Sequence, residues 1–130
     1  MWTRFMDMHS GGGSKESYEY IYIEAPENEA KVIFYNRFGH NPERVTCTCC
    51  GEDYSISENE SLEQLSGYDR GCDYNRDIGY IEKRKVGGYK DYQTLNEYIK
   101  SEGVLFITKE EIKDDERVGE LPMQGYIWMD

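Results

Sequence analysis

Residues 18–24 read Tyr18-Glu19-Tyr20-Ile21-Tyr22-Ile23-Glu24, a run so rich in β-formers that it predicts a central strand. Pro26 follows where a first helical residue would sit, with Glu27 and Glu29 in the first turn beside the positive end of the helix dipole. Ala30, Ile33, Phe34 and Phe38 recur at i, i+3, i+4 and i+8, with Arg37 in the same stripe, and Gly39 stands as the C-cap. This strand and helix predict an α+β fold. Its expected parts are a small antiparallel or mixed sheet, two main helices against one face, and a zinc-knuckle-like hairpin at an edge.

Outward from that core, Trp2 to His9 reads as a short strand running into Ser10-Gly11-Gly12-Gly13-Ser14. The glycines match neither a P-loop nor a dinucleotide fingerprint. His40-Asn41-Pro42 makes the exit turn of the helix. Val45–Cys47 and Tyr54–Ile56 would flank the cysteine turn as two short strands. Ser61–Leu65 is a capped helical turn ending at Gly67. Residues 68–91 have little periodicity and read as a long loop or an irregular hairpin containing Tyr80 to Lys85. Thr94-Leu95-Asn96-Glu97 is a capping box for a helix to about Ser101, buried through Leu95, Tyr98 and Ile99 and stopped by Gly103. Val104–Ile107 is a strand. Thr108-Lys109-Glu110-Glu111 repeats the capping pattern and would start a short acidic helix, and Gly125–Met129 would close the chain as a strand. Without repeat or linker, the 130 residues form one domain, with 45–91 its irregular, metal-stapled part.

The four cysteines are Cys47, Cys49, Cys50 and Cys72. Cys47 and Cys50 form C-x-x-C-G, the half-site by which a knuckle offers two thiolates to one zinc. Gly51 permits the sharp turn that brings two sulfurs to one ion. Cys72 falls within range of a second half-site. The fourth ligand is open among Cys49, His9, His40 and an aspartate such as Asp73. Four ligands would make a structural zinc, and reduced, buried cysteines are the plainer alternative. A nucleophilic grouping of Asp7, His9 and Ser10 completes no recognisable triad, so no catalytic residue is assigned and no enzyme is expected.

Fifteen basic against 26 acidic residues give a net charge of −11, which repels phosphate and disfavours direct nucleic-acid binding. A basic partner suits it better. From Val45 to Asp69 the chain carries six carboxylates and no Lys or Arg: Glu52, Asp53, Glu58, Glu60, Glu63 and Asp69. A second acidic run covers Glu110, Glu111 and Asp114–Glu116. Carboxylates spaced along a rigid face can stand in for successive phosphates, although solvated faces often look the same. Twelve tyrosines among eighteen aromatics suit a broad contact face, or more plainly strand propensity and edge packing. No stretch approaches a membrane span and no leader pattern opens the chain, so the cytoplasm is the expected compartment.

Four stretches carry a resemblance: Trp2-Thr3-Arg4-Phe5-Met6-Asp7-Met8-His9-Ser10-Gly11-Gly12-Gly13, Tyr20 to Pro26, Phe38 to Gly51 and Gly125-Tyr126-Ile127-Trp128. With these the sequence resembles a family of small tailed-bacteriophage proteins. The resemblance implies a setting, a phage product inside an infected bacterial cell, and supplies no catalytic residues. With the size and charge, it leads to an expected function: a non-catalytic, anti-CRISPR-like inhibitor of a host defence effector. Glu52, Asp53, Tyr54, Glu58, Glu60 and Glu63 would form its partner face, against a host nucleic-acid-binding protein. Alternatives are a nucleotide-signal sponge using Gly11–Gly13, a metal-dependent hydrolase using Asp7, His9 and the cysteines, and a virion or replication accessory.

Overall fold

Strand β2 (Tyr20–Ile23) is the axis of the fold, because all four of its residues are buried. The computed structural model describes residues 1–8, 18–39, 41–43, 53–84 and 92–112. β1 (Trp2–Asp7) pairs antiparallel with β2, Phe5 opposite Ile21. On its other side β1 pairs antiparallel with β3 (Tyr54–Asn59). β6 (Val104–Ile107) lies parallel to β2, so the four-stranded sheet is mixed, in the order β3-β1-β2-β6. β4 (Cys72–Asn75) and β5 (Gly79–Arg84) form a separate antiparallel hairpin, the irregular-hairpin alternative for this region.

Alternation of Tyr and Ile along β2 gives the sheet two apolar faces, and each needs a cover. Ile21 and Ile23, with Phe5, Tyr54 and Ile107, pack against Ala30, Ile33 and Phe34 of α1 (Glu27–Phe38). Tyr20 and Tyr22, with Trp2, Met6 and Phe106, meet α2 (Leu62–Leu65) and Tyr98 of α3 (Leu95–Ile99). The helices therefore divide between the faces. The expectation of two helices on one face fails because β2 is apolar on both sides.

The α1 stripe and its Gly39 cap lie where the spacing puts them: Gly39 has φ 77°, and its N–H donates to Tyr35 O. Pro26 is the N-cap rather than the first helical residue, and it has no side-chain oxygen to offer the orphan N–H groups. Glu58 of β3 substitutes, its Oε2 accepting from Glu27 N at 2.8 Å. A carboxylate there also faces the positive end of the helix dipole.

One side-chain amide of α2 extends the β4–β5 hairpin. Gln64 Nε2 donates to Tyr80 O at 2.7 Å, and Tyr80 N donates to Gln64 Oε1 at 2.7 Å, so the amide acts as a neighbouring strand peptide. The Tyr80 ring lies directly on the backbone of Gly67, where a Cβ would collide with it.

Both bonds of the Thr94–Glu97 capping box form and open α3. That helix ends at Ile99, which is exposed, while Tyr98 alone is fully buried. At Thr108–Glu111 the same pattern makes only a turn among the described residues. Thr108 Oγ1 turns to the Glu111 carboxylate at 3.1 Å, and Lys109 N donates to Glu24 Oε1 at 3.0 Å. The expected strands at 45–47 and 125–129 lie outside the described residues.

Candidate binding site

Trp2, Arg4 and Met6 alternate onto the tyrosine face of the sheet, which places one guanidinium among aromatic rings. Its partner is Asp69, in the turn after α2. Arg4 Nη2 donates to Asp69 Oδ1 at 2.8 Å, and Nε lies 2.6 Å from Oδ2 as a charge contact. Arg4 Nη2 also reaches Met6 Sδ at 3.0 Å, and the guanidinium carbon stands 5.4 Å from the centre of the Tyr20 ring. Asp69 is wholly buried, so its charge is neutralised from within the fold.

Tyr22 OH donates to Asp69 Oδ2 at 2.7 Å. A phenol has one proton, so Tyr22 must accept in its 3.1 Å contact with Tyr98 OH. The chain Tyr98–Tyr22–Asp69–Arg4 is a connected polar network inside an aromatic cluster. The Tyr22 ring stacks on Phe106 at 4.9 Å, and Tyr98 stands edge-on to both. Burial raises both phenol pKa values well above the ordinary tyrosine range, and the negative charge of Asp69 adds to the effect. Burial pulls the Arg4 guanidinium down, but Asp69 together with Tyr22 and Tyr20 outweighs it and keeps the group charged.

Arg70 fixes the turn that carries Asp69. Its guanidinium is buried and donates to Ser66 Oγ (2.9 Å), Glu63 O (3.0 Å) and Gln93 O (3.1 Å). Gln93 N returns a bond to Arg70 O at 2.9 Å, tying α2 to the segment entering α3.

A pocket of about 160 Å³ opens beside this network. Asp69, Tyr20 and Tyr98 form its buried part, and Gln93, Ser101 and Val104 form a side wall. Glu19 and Glu102, both exposed, complete the lining. The wall is braced: Gln93 Nε2 donates to Ser101 Oγ at 3.0 Å, and Ser101 Oγ bonds Glu97 O at 3.2 Å.

The residues expected at a partner face are dispersed. Tyr54 is fully buried, edge-on to Phe34 at 5.0 Å, and Asp53 is buried beside it, so neither can present to a partner. Asp69, counted with the acidic run, lies in the interior because Arg4 holds it there. Glu58 is exposed but caps α1. Glu60 and Glu63 are exposed and remain as an acidic pair at the β3–α2 corner. Glu52, Cys47, Cys49, Cys50, His9, His40 and Gly11–Gly13 lie outside the described residues. Cys72 is buried at the start of β4, its N–H bonded to Gly67 O at 3.0 Å. Among the described residues, no three His, Cys, Asp or Glu side chains gather as a metal site.

Arg4, Tyr22, Tyr98 and Gln93 drew no notice as site residues in the sequence. One signal was present for Arg4: two residues from both Trp2 and Met6, a cation shares an otherwise apolar strand face. Comparison with protein-family models, with curated proteins and with solved structures finds no match. No helix among the described residues is long and apolar enough to cross a membrane.

Proposed function

We propose that this chain is a non-catalytic inhibitor that docks an acidic, tyrosine-bearing face on the basic, nucleic-acid-binding surface of a host defence effector. What carries the reading is the exposed pair Glu60 and Glu63 beside the clamped hairpin, in a chain of net charge −11. Tyr68 and Tyr74 are 63% and 65% exposed there. Tyr74 packs edge-on against Tyr80 at 5.0 Å, and Tyr80 is fixed by Gln64. Burial raises the Tyr80 pKa, and nearby Tyr74, Asp69 and Tyr68 add to it, so the three phenols share one neighbourhood. Held tyrosines lose little freedom on contact, and adjacent carboxylates steer a basic partner. The resemblance to tailed-phage proteins supplies the setting.

Phage plating on hosts with active nucleic-acid-guided defence tests this. The wild-type chain should restore plating, and the Glu60→Lys, Glu63→Lys double variant should weaken effector binding by about tenfold or more. Glu58 is left intact so that α1 keeps its cap. Unchanged inhibition by the double variant would exclude this face, and no restoration in any defence background would exclude the inhibitor reading.

Zinc belongs to the proposal as a structural staple on Cys47, Cys50 and Cys72, with Cys49 as the candidate fourth ligand. The C-x-x-C-G spacing and the buried position of Cys72 at the root of the hairpin support it. Native mass spectrometry should find one zinc per chain that a strong chelator removes and that Cys72→Ser retains less well. A metal-free protein with four reduced thiols would end the idea.

A further inference from the structure

We propose that the pocket beside the Arg4–Asp69 network binds a guanidinium or alkylammonium group. Its lining includes three acidic residues, Glu19, Asp69 and Glu102, and among the described residues the one guanidinium bonded to them is that of Arg4 on Asp69. Among the described residues this leaves the charges of Glu19 and Glu102, both exposed, unbalanced in the lining, so the pocket repels phosphate and attracts a cation. Nucleotide ligands are disfavoured at this place on the same ground.

Size and shape narrow the ligand further. A hollow of about 160 Å³ is smaller than the roughly 300–1,000 Å³ that encloses a drug-sized molecule, so it suits a single head group. The walls offer what a planar or tetrahedral nitrogen cation uses: carboxylate oxygens, the amide of Gln93, the hydroxyl of Ser101 and the rings of Tyr20 and Tyr98. Tyr20 already carries one guanidinium, that of Arg4, at 5.4 Å. The bonds from Gln93 to Ser101 and from Ser101 to Glu97 brace the wall before any ligand arrives, which reduces the ordering that binding requires. The inference stands apart from docking through Glu60 and Glu63, because it uses different residues.

Titration of the full chain, followed by amide NMR, tests it with three probes: agmatine, acetyl-arginine methylamide and the matched acetyl-citrulline methylamide. Citrulline keeps the shape and removes the charge. Both cations should give saturable shifts at Glu19, Ser101, Glu102 and the Gln93 side-chain amide, with dissociation constants on the order of millimolar. The Glu19→Gln, Glu102→Gln double variant, altered only at exposed positions, should keep a wild-type-like spectrum and bind about five- to tenfold more weakly. Tighter binding of agmatine assigns the site to a free amine, and tighter binding of the arginine derivative assigns it to a protein side chain. Equal shifts with citrulline, shifts that never saturate, or undiminished binding by the double variant would each overturn the site.

Discussion

Replacing Asp69 with Asn should destabilise the protein by about 3 kcal/mol, because it strands a mostly buried guanidinium without its counter-charge. The substitution keeps the size of the side chain, so little of the loss comes from packing. Arg4 Nη2 and Nε would face an amide in place of the carboxylate they contact at 2.8 and 2.6 Å. Tyr22 would lose the charged acceptor of its 2.7 Å bond, and through Tyr22 the effect reaches Tyr98. Against a typical total of about 5–15 kcal/mol, this is a large fraction of the fold's stability. Urea unfolding of Arg4→Met, Asp69→Asn and the double variant separates pair from parts. The double variant should be less destabilised than the sum of the singles, because removing both charges leaves none unpaired. Additive losses, or a single-variant loss under about 1 kcal/mol, would mean that solvent already screens the pair.

That pair joins residues 65 apart, and no periodicity announces such a contact. What local pattern reveals is local. The β-formers of 18–24, the stripe from Ala30 to Phe38, Gly39 and the Thr94 capping box each name an element through forces within a few residues, and each element is there. The Thr108 pattern carries the same signal, yet among the described residues it makes only a turn, with the Thr108 hydroxyl bonded to the Glu111 carboxylate. Which face α3 covers depends on β6 pairing parallel to β2 across most of the chain, and only assembly decides that. The acidic run shows the same limit for the site. Glu60 and Glu63 stay at the surface, Glu58 caps a helix, Asp69 is drawn inside by Arg4 and Asp53 is buried. Composition counts these carboxylates alike, and their neighbours make them different.

The buried phenols should make stability fall steeply in alkali. Tyr22 and Tyr98 are held neutral in the folded protein: burial pushes both pKa values up, Tyr98 and Asp69 raise Tyr22 further, and Asp69 raises Tyr98 further. In the unfolded chain each ionises with a pKa near 10. Below that pH both states keep the protons and these groups give no slope. Above it the unfolded chain releases protons that the folded one retains, so stability is lost as pH rises. Each retained proton is worth about 1.4 kcal/mol per pH unit, and two give about 2.7. Between about pH 10 and 12 the expected loss is therefore several kcal/mol, enough to unfold many domains of this size. Tyr22→Phe separates linkage from the lost hydrogen bond. The missing bond to Asp69 lowers stability by about 1.5–3 kcal/mol below about pH 10, and above it the alkaline slope should flatten by about one proton, so the gap to the wild type closes. Urea titrations at intervals above about pH 9, with ultraviolet titration of tyrosinate in the folded protein, read both quantities. A folded chain that ionises all twelve tyrosines near pH 10 would show that the Tyr98–Tyr22–Asp69 interior is open to water, and the slope would vanish with it.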